Sequence, residues 1–159
     1  YFKTGDIGTI DEEGFLRITD RKKQMFKTSG GKYIAPQVIE NELKQSLFIE
    51  QILVIGEGKN MAAAIIQPSF EEAKLWVDRQ GILYNDDTEF ICKNESLFEK
   101  INNEIRLHDH KFGKWEQVKV IRLTPDIWSI EDGHLTPTMK VKRKVVIDKY
   151  QSLIDDIYK

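Results

Sequence analysis

Ile52-Leu53-Val54-Ile55-Gly56-Glu57-Gly58-Lys59-Asn60-Met61-Ala62-Ala63-Ala64-Ile65-Ile66 is the stretch on which the fold turns. Its first four residues are an unbroken aliphatic run, the signature of a buried strand. Gly56 to Asn60 reads as a turn, and Ala62 to Ile66 returns as a second strand. Downstream, Ser69 and Glu72 have the spacing of a capping box, predicting a helix through Leu75 and Trp76 that stops near Gly81. Residues 82–93 read as irregular. A further helix is predicted from about Glu95, burying Leu97, Ile101 and Ile105, followed by a third strand over Gln117 to Leu123. Apolar residues at Val146, Tyr150, Leu153 and Ile157 predict one closing amphipathic helix.

Upstream, Pro36 suits the first turn of a helix carrying Val38, Ile39, Leu43 and Leu47 on one face. Residues 1–20 read as a small β-unit, with a turn at Asp11-Glu12-Glu13-Gly14 and a strand at Phe15-Leu16-Arg17-Ile18. The fold class expected is therefore α+β. A small, mostly antiparallel sheet of about three strands is flanked by helices and preceded by a short N-terminal β-hairpin.

Composition narrows the function. The chain has 159 residues, with 24 basic against 26 acidic side chains and a formal charge of −2, which argues against general nucleic-acid or acidic-membrane binding. The single cysteine, Cys92, cannot form an internal disulfide, which fits a reducing compartment, and no nearby group favours its thiolate. The longest apolar run, Met61 to Ile66, is far short of a membrane span. The chain opens at Tyr1 inside what reads as a turn motif, so a piece of something larger is expected.

Several clusters carry chemistry, each with an ordinary reading beside it. In Thr4-Gly5-Asp6 a carboxylate could accept two hydroxyls of a ribose; alone, the tripeptide is a common turn. Arg21-Lys22-Lys23 is a cationic cluster that could equally be a solvated charge run. Lys27-Thr28-Ser29-Gly30-Gly31-Lys32 fails as a Walker A loop, because Phe26 stands where the first glycine belongs and Tyr33 where Ser or Thr belongs. It remains either a glycine pair lining a narrow ligand passage or a loop entering the Pro36 helix. Near the end, Pro137 and the threonines around Lys140 restrict a loop that would deliver the lysine head to phosphate oxygens. Against that stands a plain basic patch of Lys140, Lys142, Arg143 and Lys144. His108-Asp109-His110 has no second ligand cluster, so no metal site is expected. Trp76, Trp115 and Trp128 read as packing residues.

The order of these motifs is more specific than any one of them. Tyr1-Phe2-Lys3-Thr4-Gly5-Asp6, Gly14-Phe15-Leu16, Asp20-Arg21-Lys22-Lys23 and Gly30-Gly31-Lys32-Tyr33-Ile34-Ala35-Pro36 resemble the carboxy-terminal region of the adenylate-forming enzymes. Ile39-Glu40, Val54-Ile55-Gly56 and Leu135-Thr136-Pro137-Thr138-Met139-Lys140 continue the likeness across nearly the whole chain. The wording is similar to bacterial long-chain fatty acid–CoA ligases.

The resemblance implies a division of labour. Residues 1–20 would close a large amino-terminal domain, 21–24 would form a hinge, and 25–159 would be the mobile carboxy-terminal domain. Asp6 and Arg21 match nucleotide-binding positions at the ATP ribose, Lys23 the hinge, and Lys140 the catalytic lysine of adenylation. Lys27, Ser29, Gly30 and Gly31 match the coenzyme A passage. ATP and coenzyme A are the implied substrates alongside a fatty acid, with Mg2+ held by the amino-terminal domain and no metal here. Departures from the commoner family wording are Asp20, Lys23 and Met139, the last standing where many relatives have glycine. The implied setting is cytoplasmic, with the inner membrane as the surface a whole enzyme could approach peripherally. Two other functions stay open on the sequence: an adenylating enzyme that loads a carrier protein, and a non-catalytic basic binding module.

Overall fold

The computed structural model describes residues 6–10, 12–21, 25–82 and 87–159, with the backbone alone for residues 6–8 and 17–21. Strands β1 (Asp6–Ile10) and β2 (Leu16–Arg21) pair antiparallel, with a register shift between Ile7 and Gly8. The expected N-terminal hairpin is therefore present. The hinge position Lys23, and Lys3-Thr4-Gly5 of the opening motif, lie outside the described residues.

Two short strands follow, β3 (Phe26–Lys27) and β4 (Tyr33–Ile34), also antiparallel. Helix α1 (Pro36–Leu43) begins at the proline, whose missing N–H costs nothing in a first turn. The helix ends sooner than the apolar spacing suggested. Lys44 is its C-cap, so Leu47 falls beyond it and is 73% exposed rather than part of the buried face.

The main sheet has the order β5 (Ile49–Ile55), β6 (Ala62–Pro68), β7 (Val118–Leu123). β5 and β6 form the expected antiparallel hairpin, whereas β7 lies parallel to β6. The sheet is thus mixed. A parallel partner needs a long crossover. That crossover is supplied by α2 (Phe70–Arg79), α3 (Thr88–Lys93) and α4 (Glu95–Asp109).

Every residue of β6 is buried, because helices cover both faces of the sheet. Ala62, Ala64 and Ile66 face a core built with Ile39, Leu43, Leu97, Ile101 and Ile105 from α1 and α4. Ala63 and Ile65 face a second core with Trp128, Leu135, Val146 and Tyr150. The catalytic candidate Lys140 belongs to the chain that covers this second face.

Three details depart from the sequence reading. The capping box does not form at Ser69, since the N–H that Glu72 would have satisfied is already donated to Phe48 O at 3.0 Å. Part of the stretch expected to be irregular folds as α3, started by the Asp87 carboxylate accepting the Glu89 N–H at 2.9 Å. The closing helix is two short pieces, α5 (Arg143–Lys149) and α6 (Gln151–Ile157), which meet at Tyr150 (φ −103°, ψ 22°). Hydrogen bonds from Tyr150 N to Val146 O and from Ile154 N to Tyr150 O carry the ladder through that bend, and Ile154 rather than Leu153 is the buried member.

Candidate functional site

Lys140 sits near the tip of a closed loop. Leu135 and Val141 form an antiparallel bridge, and outside it Lys142 N donates to His134 O at 2.8 Å. Inside it Thr136 does most of the work. Its N–H donates to Lys140 O at 2.8 Å, its carbonyl accepts Met139 N–H at 2.8 Å, and its hydroxyl accepts Lys140 N–H at 3.1 Å. The Thr138 hydroxyl lies 3.0 Å from that of Thr136. Leu135 is fully buried while residues 137–140 are exposed, so the loop is a rooted arm with its ammonium in solvent. No carboxylate among the described residues pairs with Lys140.

Met139 has φ 59°, the one non-glycine residue in left-handed backbone among those described. A Cβ is strained in that backbone conformation, which glycine adopts freely. The Met139 side chain is half-exposed, so little packing would be lost on removing it. Met139→Gly should therefore raise stability by no more than about 1 kcal/mol, the strain relief being offset by glycine's larger unfolded entropy. The urea midpoint measures it.

The foot of the loop is a polar knot in the second core. The Tyr150 hydroxyl accepts from Trp128 Nε1 at 3.0 Å, lies 3.0 Å from Thr124 Oγ1 and donates to Asp126 Oδ2 at 2.7 Å. Lys149 pairs with the same carboxylate at 2.9 Å and reaches His134 Nε2 at 3.2 Å. The Tyr150 hydrogen bond, then Lys149, hold the Asp126 carboxyl below its usual range, while burial pushes the Tyr150 phenol up. His134 and Leu135 are thus fixed before the chain emerges.

Thr28 to Lys32 join β3 and β4 as a second rooted loop. Buried Thr28 organises it: Thr28 N donates to Lys32 O at 2.9 Å, Lys32 N to Thr28 Oγ1 at 3.1 Å and Gly31 N to Thr28 O at 2.9 Å. The loop is also tied to the β5–β6 turn, through Ser29 N to Lys59 O at 2.9 Å and Gly58 N to Lys27 O at 2.8 Å. Gly31 needs its φ of +79°. Gly30 is different, for it is exposed, has no positive φ, and an added Cβ would meet only Thr28 Oγ1 at 3.9 Å. Nothing among the described residues requires glycine there.

Two ammonium groups flank this loop, Lys27 Nζ at 5.3 Å from the Tyr33 ring centroid and Lys32 Nζ at 5.2 Å from that of Trp115. Trp115 is 48% exposed, which corrects its reading as a packing residue; Trp128 is buried and Trp76 packs partly buried against the first core. Its ring lies over Gly113, where an added Cβ would come within 2.9 Å. Only the glycine two positions before the indole hinted at this, since the segment between α4 and β7 has no periodicity to read.

The remaining candidates are distributed as follows. Asp6 and Arg21 are register partners across β1 and β2, so the backbone brings the two positions opposite one another. The basic cluster divides: Arg143 ion-pairs with buried Glu40, whereas Lys140, Lys142 and Lys144 are exposed. His108, Asp109 and His110 diverge, His108 toward Glu42 at 3.5 Å, Asp109 to the Val118 N–H at 3.1 Å and His110 to Leu107 O at 2.6 Å. Cys92 is half-buried, and burial followed by the charges of Asp126 and Glu89 pushes its thiol up to about 12, leaving it un-ionised at neutral pH. Between β3, the β5–β6 turn and the α5–α6 pair lies a cavity of about 490 Å³, lined in part by Met25, Phe26, Arg143 and Tyr158.

Known proteins resemble this chain in sequence and in fold. Residues 23–159 match the family model described as the AMP-binding enzyme C-terminal domain. The chain is 37% identical over 158 residues to the long-chain-fatty-acid–CoA ligase FadD15 of Mycobacterium tuberculosis, covering 99% of this chain and 26% of that protein. It is 39% identical over 161 residues to human long-chain-fatty-acid–CoA ligase 1, covering 99% of this chain and 23% of that one. In fold it resembles the adenylation domain of a carboxylate reductase from Mycobacterium chelonae, with a TM-score of 0.79 at 19% identity, over 99% of this chain and 23% of that chain. The chain spans about a quarter of the length of the curated relatives it matches.

Proposed function

Because the chain belongs to the AMP-binding enzyme C-terminal domain family, we propose that it is the mobile carboxy-terminal part of an AMP-forming long-chain fatty acid–CoA ligase. The observation that carries this reading is the pairing of two rooted, outward-facing loops. One offers an ammonium, Lys140, that pairs with no carboxylate among the described residues; the other offers a glycine, Gly30, that the packing of those residues does not need. Relatives named as CoA ligases favour coenzyme A over a carrier protein as acceptor. The withdrawal of Arg143 into an ion pair weakens the case for a basic docking patch.

In the first half-reaction a fatty acid carboxylate oxygen attacks the α-phosphorus of ATP. The bond to the β-phosphate oxygen breaks, pyrophosphate leaves and an acyl-adenylate forms. Lys140 would stabilise negative charge as it grows on the phosphoryl and carboxylate oxygens. In the second, the coenzyme A thiolate attacks the acyl carbonyl and AMP leaves. Gly30 and Gly31, with Ser29, would line the path of the pantetheine arm, and Lys27 and Lys32 supply cations near it. Serving both steps with one domain needs a rigid-body swing about a hinge at 21–24, with Lys23 in it. Asp6 and Arg21 would hold the ribose from the hairpin that closes the preceding domain.

The Mg2+ that accompanies ATP is assigned to the large amino-terminal domain by the same family resemblance. The domain alone should form no acyl-CoA. No helix among the described residues is long and apolar enough to cross a membrane. The resemblance supports a cytoplasmic enzyme that could approach the inner membrane peripherally.

The test uses the complete enzyme. Gly30→Leu, which the local backbone tolerates, should slow thioester formation from supplied acyl-adenylate by about 10²-fold, the cost of displacing a reactant by about 1 Å. ATP–pyrophosphate exchange should stay near its original rate. Equal loss of both half-reactions, or of neither, would remove the coenzyme A assignment.

A further inference from the structure

Glu40 and Arg143 are 103 positions apart and meet at the open edge of the sheet. β5 is an outer strand, and at Val54 both backbone polar groups point away from β6. The Val54 N–H donates to Glu40 Oε1 at 2.8 Å. Its carbonyl accepts from one nitrogen of the Arg143 guanidinium, while the other nitrogen donates to that same Glu40 oxygen. The Glu40 side chain is only 6% exposed and that of Arg143 23%. The fork therefore closes a ring of hydrogen bonds over a buried strand edge.

A hydrophobic residue at either position would leave a Val54 backbone group buried without a partner, so the pair satisfies the strand edge. Its advantage is directional. Arg143 is the first residue of α5 and stands three positions after Lys140. The leg of the Lys140 loop that precedes the tip is fixed by buried His134 and Leu135. The leg that follows it packs Val141 against the second core and passes exposed Lys142, and Arg143 then ties it to the edge of β5. Internal hydrogen bonds keep the loop closed, and the fork adds a directional tie from its returning leg to the sheet edge.

We propose that Glu40 and Arg143 are positioning residues for the adenylation half-reaction, orienting the Lys140 ammonium by fixing the base of its loop to the edge of β5. The proposal rests on the assignment of Lys140 above. Neither residue touches substrate; both act through Lys140. Lysine at position 143 could keep the charge but not both bonds, because only the guanidinium fork spans the carboxylate and the carbonyl together.

The experiment is a double-mutant cycle in the complete enzyme, reading the two half-reactions separately. Arg143→Lys should lower kcat for acyl-adenylate formation by about 10²-fold, the penalty for misplacing a catalytic group by about 1 Å, with KM for ATP and fatty acid nearly unchanged. Thioester formation from supplied acyl-adenylate should change by less than about threefold. In a Lys140→Ala background the same substitution should have almost no further effect on adenylation, because residues acting as one unit are non-additive. Glu40→Gln, which keeps an acceptor for the Val54 N–H, should give the same pattern at smaller amplitude and serves if Arg143→Lys does not fold. An undiminished effect in the Lys140→Ala background, an equal fall in both half-reactions, or an unchanged adenylation rate overturns the proposal. Should Lys140→Ala itself leave adenylation intact, the assignment of the lysine fails first, and that result is distinguishable because it needs no change at Arg143.

Discussion

Replacing Lys140 with alanine in the complete enzyme should slow acyl-adenylate formation by about 10²–10³-fold or more, the usual consequence of removing a fixed group that faces developing charge. The loop's geometry supports a clean outcome. Its closing bonds involve the Lys140 backbone and the Thr136 side chain, none of which alanine disturbs. The side chain is exposed and pairs with no carboxylate among the described residues, so no ion is orphaned when it goes. Stability should consequently stay within about 0.5 kcal/mol, as for other surface substitutions. Thioester formation from supplied acyl-adenylate should be largely spared. Pyrophosphate-exchange and single-turnover thioesterification assays separate the two halves, and comparable losses in both would contradict the role given to the ammonium.

The second large effect concerns stability. Gly56→Ala should destabilise the domain by about 3 kcal/mol or more, summing backbone strain and overpacking. Gly56 has φ 144°, and an added Cβ would lie 2.7 Å from Met61 O, with Ala62 Cα and Phe26 Cε2 each at 3.3 Å. Two of those three neighbours are backbone of the β5–β6 hairpin and cannot rotate away. The damage should spread, because the same turn holds the glycine loop through Gly58 N to Lys27 O and Ser29 N to Lys59 O. Urea unfolding followed by tryptophan fluorescence would report the loss through buried Trp128. Gly58→Ala offers the comparison: it also has positive φ, at 67°, but nothing lies within 4 Å of its added Cβ, so it should cost about 1 kcal/mol.

What the sequence disclosed follows from which forces are local. β5 and β6 are aliphatic because both their faces are covered, and that shows as an unbroken run. α4 was legible from Leu97, Ile101 and Ile105, all fully or almost fully buried. Periodicity carries no information about strand direction, so the parallel placement of β7 was invisible. The failed capping box at Ser69 has the same origin: the carbonyl that displaces Glu72 is Phe48 O, in the turn that precedes β5. The bend at Tyr150 arises where its hydroxyl engages Asp126, Thr124 and Trp128, partners that adjacency does not reveal.

The candidate site divides in the same way. Lys140 and the glycine pair are singled out by the order of short motifs. Thr28 and Thr136, which close the two loops by hydrogen bonds over four positions, could have been suspected from spacing alone. Glu40 and Arg143 could not, since each looks like one more surface charge until the edge of β5 is in view. Trp115 escaped because tryptophan in a soluble domain is ordinarily packed, and its exposure is a property of the turn that carries it.

The parallel strand has a consequence for how the polypeptide is made. The β5–β6 hairpin is complete at Pro68, but its third member begins only at Val118. At about 5–20 residues per second, a ribosome leaves that gap open for roughly 3–10 seconds. Throughout this interval the Ala62–Ile66 side of the hairpin has unpaired amides and an aliphatic face, the combination that recruits neighbouring chains. Newly synthesised protein should therefore be most vulnerable to aggregation in this window, and slowing translation there, or truncating the message before codon 118, should increase its capture by chaperones.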